Sequence, residues 1–531
     1  MKKVFTRFSA VLLIITLSFT SCVKDLDQSP YYGLNAESVY SDPANYIHVL
    51  AKCYAGLAIS GNQGPAGSPD ISGIDEGFSQ YLRVLWNLQE LTTDEAVCAW
   101  NDPGIPELHQ MTWSSNNSFV VAMYNRIFFQ VPLCNDFIRQ SSDANMSDRG
   151  FSEADQATIR IYRNEARFLR ALSYYHAIDL FGNVPFVTEA DAPGAFLPNQ
   201  IFRTDLFNYI ESELKDIENL LPESKQNEYG RADKSAAWTL LAKLYLNAQV
   251  YTGTERNTDA VSYCNKVINS GAYSLDPVYQ DLFLADNNFS PEIIFPITFD
   301  GLYTQTYGGT TFLVHAPVGG SMVAADFGIN GGWAGYRTTS GYVSQCDTTD
   351  TLDQRQMFYT AGQNLEITSI STFTDGWGIT KWKNITSEGE PGSDPTGNFV
   401  DTDFPLFRLA DVYLMYAEAV TRGGGGGDNG TAITLVNQII DRGHGGISSP
   451  EWDVTTLDAD RVLTERAREL YWEGHRRTDL IRYGLFTGGT YIWPFKGGVP
   501  EGISVPDYLN LFPLAFTDLV ANPNLIQNPG Y

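Results

Sequence analysis

The chain of 531 residues has almost none of the features that mark an enzyme of familiar type. It holds six cysteines and six histidines, with no CxxC pair and no Cys/His cluster, so no zinc site is indicated. Its one glycine run, residues 423–427, lacks the Lys-Ser/Thr of a phosphate loop and reads as a connection between helices. Positive charge is scarce: 35 Lys and Arg stand against 62 Asp and Glu, a formal net charge of −27. Such a chain repels nucleic-acid phosphates, which excludes nucleic-acid binding, and leaves neutral or cationic ligands open. No apolar run is long enough to span a bilayer as a helix.

The longest such run, residues 11–19 (VLLIITLSF), follows Lys2, Lys3 and Arg7 and leads through Thr20 and Ser21 to Cys22. That is the order of a bacterial lipoprotein signal, with removal of residues 1–21 and lipid on the Cys22 thiol. Phe19 stands where Leu is usual. The expected location is therefore a membrane surface, reached through a lipid anchor. The other cysteines, Cys53, Cys98, Cys134, Cys264 and Cys346, are odd in number and widely spaced. Buried free thiols are the expectation for most of them.

Aromatic residues are abundant: 30 Phe, 29 Tyr and 10 Trp. Most must pack a core, but many sit among Gly, Asn, Thr and Pro. Flat apolar rings beside amides in polar loops suit carbohydrate, whose C–H faces stack and whose hydroxyls need hydrogen-bond partners.

Apolar spacing predicts helices over residues 158–181, 205–221, 234–250, 259–270, 407–422, 431–442 and 461–474. In the first, Ile161, Ala166, Leu169, Leu172, Tyr175 and Ile178 recur every three to five residues, and Gly182 and Pro185 end it. Small Ala opposite large Leu and Tyr suits closely packed, tetratricopeptide-like helix pairs, although no strict 34-residue period is visible. Residues 290–400 lose this periodicity and turn to Gly, Thr, Asn, Tyr and Phe, with a short β-like run near 293–298. Residues 70–111 form a second loop-containing region. The expected fold is mainly α: a helical scaffold over about 22–289 and 401–531 carrying a loop-rich, partly β insertion over about 290–400, all in one domain from residue 22.

Five blocks resemble the SusD/RagB family of nutrient-binding outer-membrane lipoproteins of Bacteroidetes. They are residues 26–30 (LDQSP), 165–187 (EARFLRALSYYHAIDLFGNVPFV), 230–247 (GRADKSAAWTLLAKLYLN), 407–419 (FRLADVYLMYAEA) and 465–484 (ERARELYWEGHRRTDLIRYG). They occur in family order and cover the chain nearly end to end, and the close on Asn528-Pro529-Gly530-Tyr531 is also similar. Residues 513–516 (PLAF) depart from the usual Pro-Ile-Pro. The resemblance implies a binding protein on the cell surface. Such a protein captures oligosaccharide, or in some members peptide, and passes it to a SusC-like TonB-dependent transporter. It implies no cofactor. A structural Ca²⁺ held by scattered carboxylates would leave no signature in sequence.

Trp100-Asn101-Asp102, before Pro103-Gly104, places a stacking ring and two hydrogen-bonding side chains on one turn. It looks like the stretch that supplies a stacking Trp and an Asn contact in starch-binding members, and Arg83 resembles a further sugar-contacting Arg. Trp333, set in Gly331-Gly332-Trp333-Ala334-Gly335-Tyr336-Arg337, resembles a second stacking Trp flanked by residues too small to hide it. Tyr303 and Tyr307, in a Gly/Thr-rich loop, would complete an aromatic arc, and Arg337 is the remaining candidate contact. For each of the rings core packing is the alternative. A curved arc suits a helical α-glucan such as starch; inulin-type, levan, xylan, mannan and host glycans stay open, as do a peptide ligand and a glycoside hydrolase built on Asp94, Glu95 and Asp102. The acids and arginines of residues 465–482 are expected to form structural ion pairs.

Overall fold

The computed structural model describes residues 36–531, apart from 66, 68, 193 and 195. Cys22 and the leader fall outside them. No helix among the described residues is long and apolar enough to cross a membrane.

The fold is mostly helical. Helix α1 (Tyr46–Ala58) buries Tyr46, Leu50, Cys53 and Leu57 along one face. Helix α2 (Tyr81–Glu90) is buried on every side, and the Gln80 side chain caps it by accepting from the Arg83 N–H. Strand β1 (Val97–Cys98) follows. Helix α3 (Ser118–Gln140) starts on Asn117, whose side chain accepts from the Phe119 and Val120 N–H groups. Helix α4 (Glu153–Leu180) starts on Ser152 and ends at Gly182, which takes the left-handed φ of 72° that a helix stop needs. Helices α5 (Arg203–Ile217), α6 (Lys234–Leu246) and α7 (Asn257–Asn269) complete the first half.

Strand β2 (Ile293–Ile297) opens the insertion, helix α8 (Gly309–His315) and strand β3 (Tyr336–Arg337) lie within it, and strand β4 (Phe404–Arg408) closes it. Four helices end the scaffold: α9 (Leu409–Thr421), α10 (Asn429–Gly443), α11 (Ala459–Leu470) and α12 (Arg476–Arg482). Sequence neighbours pack as pairs, α3 on α4, α6 on α7 and α9 on α10, while α9 also packs on α7 and α11. Ser235, Ala236, Ala237 and Ala242 of α6 are buried, so neighbouring backbones approach closely.

The seven helices expected from apolar spacing are present with ends shifted by a few residues. Of the helices named above, the structure adds α1, α2, α3, α8 and α12. Helix α2 carries a polar line, Arg83, Asn87 and Glu90, but is only ten residues long within a turn-rich stretch, and α3 carries Pro132 in its interior.

Two short ladders shape the insertion. Antiparallel β2 and β4 pair Ile293 with Arg408 and Ile297 with Phe404, so the chain leaves the scaffold and returns to it at adjacent points. Antiparallel β1 and β3 pair Val97 with Arg337 and Cys98 with Tyr336, which ties the loop after α2 to the middle of the insertion.

A buried ion network locks these parts together. Arg408 of β4 donates to Glu292 (2.8 Å), to Glu469 (2.6 Å) and to Glu473 (2.6 Å). Arg442 reaches Glu292 at 2.9 Å and also bonds Glu469. From the insertion, Lys381 donates to Glu473 at 2.7 Å, and Arg355 bridges Asp353 (2.8 Å) and Glu465. Nearby, Arg466 joins Asp411 and Asp479, and Arg482 joins Glu418 and Asp479. The charges of residues 465–482 are thus structural pairs. Among the described residues the five cysteines are all free thiols, four of them buried.

Candidate functional site

The β1–β3 ladder brings Trp100 against Trp333. One hydrogen bond beyond the ladder, the Ala99 N–H donates to the Gly335 carbonyl at 2.8 Å. The Trp100 indole N–H then donates to the Trp333 carbonyl at 2.9 Å. The two rings stand 6.2 Å apart at 44°, both half-buried, and Tyr336 meets Trp100 edge-on at 5.3 Å. Gly335 makes this possible: a Cβ there would fall 2.4 Å from Trp100 Cε2. The small residues around Trp333 therefore admit the second indole, besides leaving the first uncovered.

Trp333 is backed by His315 at the end of α8, stacked at 5.0 Å and 23°. The His315 Nδ1 lies 2.7 Å from the Gly331 carbonyl, which can only accept, so Nδ1 carries the proton. Burial pushes the His315 pKa down, which keeps the ring neutral. The Trp333 N–H donates to the His315 carbonyl at 2.8 Å. On the other side Tyr307 meets Trp333 at 6.3 Å and 65°, and Phe399 backs Tyr307 at 5.7 Å. Trp100, Trp333 and Tyr307 form a continuous, angled row of rings.

Arg83 of α2 lies behind this row. Its guanidinium sits 4.6 Å from the centre of Phe312 and 5.9 Å from both Trp100 and Trp333. Carbonyls hold it, those of Tyr307 (2.8 Å) and Gly77 (3.2 Å), and its Nε has no partner. Burial lowers its pKa, and the charges of Asp75 and Asp102 offset part of that. Asn101 and Asp102 are exposed on the turn beyond Trp100.

Two expected contacts lie elsewhere. Arg337 is fully buried, and its guanidinium donates to the carbonyls of Gly335, Ile370, Thr372 and Asp375 at 2.7–3.0 Å. It pins the loop over 370–375 to β3, so it has no free face for a ligand. Tyr303 is 87% exposed but lines a different cavity of about 420 Å³, between α1 and the turn at Gly230. Of the three acids in the hydrolase alternative, two are interior. Asp94 pairs with Arg476 through two bonds of 2.8 Å, and Glu95 accepts from the Trp472 N–H at 2.9 Å. Only Asp102 faces solvent, and acid-pair hydrolysis needs two carboxylates across a cleft. His315, Phe312, Tyr336 and Phe399 build the site without any sequence signal, because each acts through contacts distant in the chain.

Comparison with known proteins identifies the family. The chain is 36% identical to "Starch-binding protein SusD" of Bacteroides thetaiotaomicron, over 99% of this chain and 98% of that protein. This chain belongs to the SusD family. A profile described as "SusD family" matches residues 303–531, and another described as "Starch-binding associating with outer membrane" matches residues 91–246. Trp100 lies in the second interval, Tyr307 and Trp333 in the first. "SusD-like protein P2" of Formosa agariphila is 23% identical over 99% of this chain and all of that one. The SusD fold is also evident in solved structures. A SusD homolog from Bacteroides thetaiotaomicron superposes with a TM-score of 0.70 at 20% identity, covering 94% of this chain and 99% of that one. Surface glycan-binding protein A from Bacteroides uniformis gives 0.69 at 20%, covering 92% and 99%.

Proposed function

We propose that this protein captures a glycan at the cell surface on the row formed by Trp100, Trp333 and Tyr307. The observation that carries the reading is the angled row itself. Successive tilts of 44° and 65° make the strip angled rather than flat, which suits a curved polysaccharide better than a flat one. Starch-like α-glucan is therefore the first candidate, in keeping with the name of the relative that shares 36% identity. Because the Trp100 N–H is already bonded to Trp333, this ring offers its face only. Polar contacts fall to Asn101, Asp102 and Arg83. The protein is anchored in the outer membrane through lipid on Cys22 and passes its ligand to a SusC-like TonB-dependent transporter. This reading calls for no catalysis and no cofactor, and the interior placement of Asp94 and Glu95 supports a binding role.

Affinity electrophoresis and calorimetry on the soluble chain from Val23 test it, with starch, inulin, levan, xylan, mannan, mucin glycans and a peptide pool. Binding to starch, lost in Trp100→Ala, is the expected result. Binding to another glycan through the same residue would change the ligand class and keep the site. Binding to peptides alone would overturn the glycan reading.

A further inference from the structure

A second surface stands out, formed by parts of the chain that the proposed glycan site does not use. Phe196, Leu197 and Phe202 are 47%, 51% and 61% exposed, and Phe516, Val520 and Ile526 near the C-terminus are 52%, 70% and 72% exposed. Single exposed apolar side chains are ordinary, but these belong to two segments held side by side. The Asn522 side chain donates to the Pro198 carbonyl at 2.8 Å, and that of Asn524 to the Leu197 carbonyl at 3.0 Å. Gln200 and Ile526 exchange a pair of bonds at 3.0 and 3.1 Å. The apolar side chains are thus presented by one braced frame.

Residues 186–202 and 512–531 contain Glu189, Asp191 and Asp518 and no Lys or Arg. Glu189 is paired with buried Arg170, which leaves Asp191 and Asp205 as the carboxylates at the cavity described below. Arg203, the residue after Phe202, turns inward to the carbonyls of Ile178 and Val250 and to the Tyr251 ring. Arg139, beside this loop, is occupied by Asp136 and by the Glu189 and Asp191 carbonyls. Within the face lies an open cavity of about 570 Å³, walled by Phe186, Phe196 and Phe202 and flanked by Asp191 and Asp205. Phenyl faces beside carboxylates, with no cation in the wall, are the complement of a guanidinium or ammonium group.

We infer that this face docks a partner protein that inserts an arginine or lysine into the Phe186–Phe202 cavity and covers the flanking apolar side chains. The acidic rim disfavours an anionic lipid surface, and it disfavours a second copy of the chain, whose rim carries the same sign. The inference is independent of which glycan the protein binds.

The test places the photo-crosslinker p-benzoylphenylalanine at Phe202 or at Ile526 in the full-length lipoprotein in its native cells, with Leu352 as an exposed control position on another part of the surface. Expected is an adduct with a different protein, identified by mass spectrometry, whose crosslinked peptide has Arg or Lys within a few residues. Its yield falls at least tenfold in Asp191→Lys/Asp205→Lys, falls by less in Asp191→Asn/Asp205→Asn, and is unchanged in Trp100→Ala. Circular dichroism establishes that each variant is folded. Adducts with lipid or a second copy alone, no adduct from folded protein, or a yield unchanged by both acid variants would overturn the inference.

Discussion

The indole N–H of Trp100 donates to the main-chain carbonyl of Trp333, so the backbone carrying one ring of the site holds the other. Because the acceptor is main chain, Trp333→Ala removes a ring and leaves the anchor of Trp100 in place. Trp100→Ala removes a ring and the anchor together, and Trp100→Phe keeps a ring without it. Glycan affinity should fall about tenfold in Trp333→Ala, about 1.4 kcal/mol, and further in Trp100→Ala, with Trp100→Phe between wild type and Trp100→Ala. Calorimetry against whichever glycan binds the wild type orders the three. Equal loss in all of them would mean that the bond to Trp333 does not position the ring.

His315 stacks on one face of Trp333, so a stacked ligand would use the other. His315→Ala should let that indole tilt, weaken glycan binding about fivefold and shift Trp emission toward longer wavelength. His315→Phe keeps a ring there and should restore most of both. A fluorescence spectrum unchanged in His315→Ala would show that the platform is held without it.

Asp403 gives stability a defined pH dependence. It is buried, and burial raises its pKa to about 7, against the bonds it accepts from the Phe299 N–H (2.7 Å) and the Tyr229 hydroxyl (2.8 Å), with Asp401 and Asp300 adding repulsion. The folded state therefore holds a proton that the unfolded chain releases near pH 4. This group's contribution is full below about pH 4, is lost as pH rises to 7 and is level above that, on the order of 2–4 kcal/mol. Asp403→Asn, which keeps an acceptor for the Phe299 N–H and turns an amide N–H toward the Tyr229 oxygen, should flatten that part of the curve and raise the melting temperature at pH 8. Differential scanning calorimetry from pH 4 to 8 makes the comparison. A wild-type curve in this interval that Asp403→Asn leaves unaltered would assign the proton elsewhere.

Glu469 is the hub of the buried ion network. Burial alone would raise its carboxyl, but Arg442, Arg408 and Arg355 outweigh that and hold it at about 2. Glu469→Ala leaves arginines buried without their counter-charge, which costs on the order of 3–5 kcal/mol. Urea denaturation should show this loss, while glycan affinity of the protein that remains folded stays within twofold. A mild effect on stability would mean that water or Glu292 and Glu473 replace the lost carboxylate.

Much of the scaffold is legible in sequence because its helices have one apolar face and one wet face. In α4 the run from Ile161 to Ile178 carries that period, and Gly182 and Pro185 punctuate its end. Helix α2 is harder to read: its polar line of Arg83, Asn87 and Glu90 runs over only ten residues, and in the fold that line is buried, not wet. The site divides along the same line. Trp100 and Trp333 are readable as rings among small and polar neighbours, but their meeting depends on a two-residue ladder between Val97 and Arg337, far below any propensity signal. Arg337 misleads for a related reason: its place beside Trp333 in sequence suggests a contact, whereas both residues of β3 are buried and four carbonyls take its side chain up. Tyr303 and Tyr307 sit four residues apart in one loop, yet Tyr307 packs on Trp333 while Tyr303 lines the cavity beside α1.

The pairing of β2 with β4 means that residues 298–403 begin and end at neighbouring points of the scaffold. Closing such a segment depends only logarithmically on its length, so loops within it can lengthen or shorten at little entropic cost as long as Lys381 and Arg355 keep their pairs with Glu473 and Glu465. The segment carries Tyr307 and Trp333; the frame carries Trp100 and Arg83. On the reading proposed above, ligand preference is divided: one part of the strip rides on a tethered loop segment and is read against a ring on the frame that holds its ends.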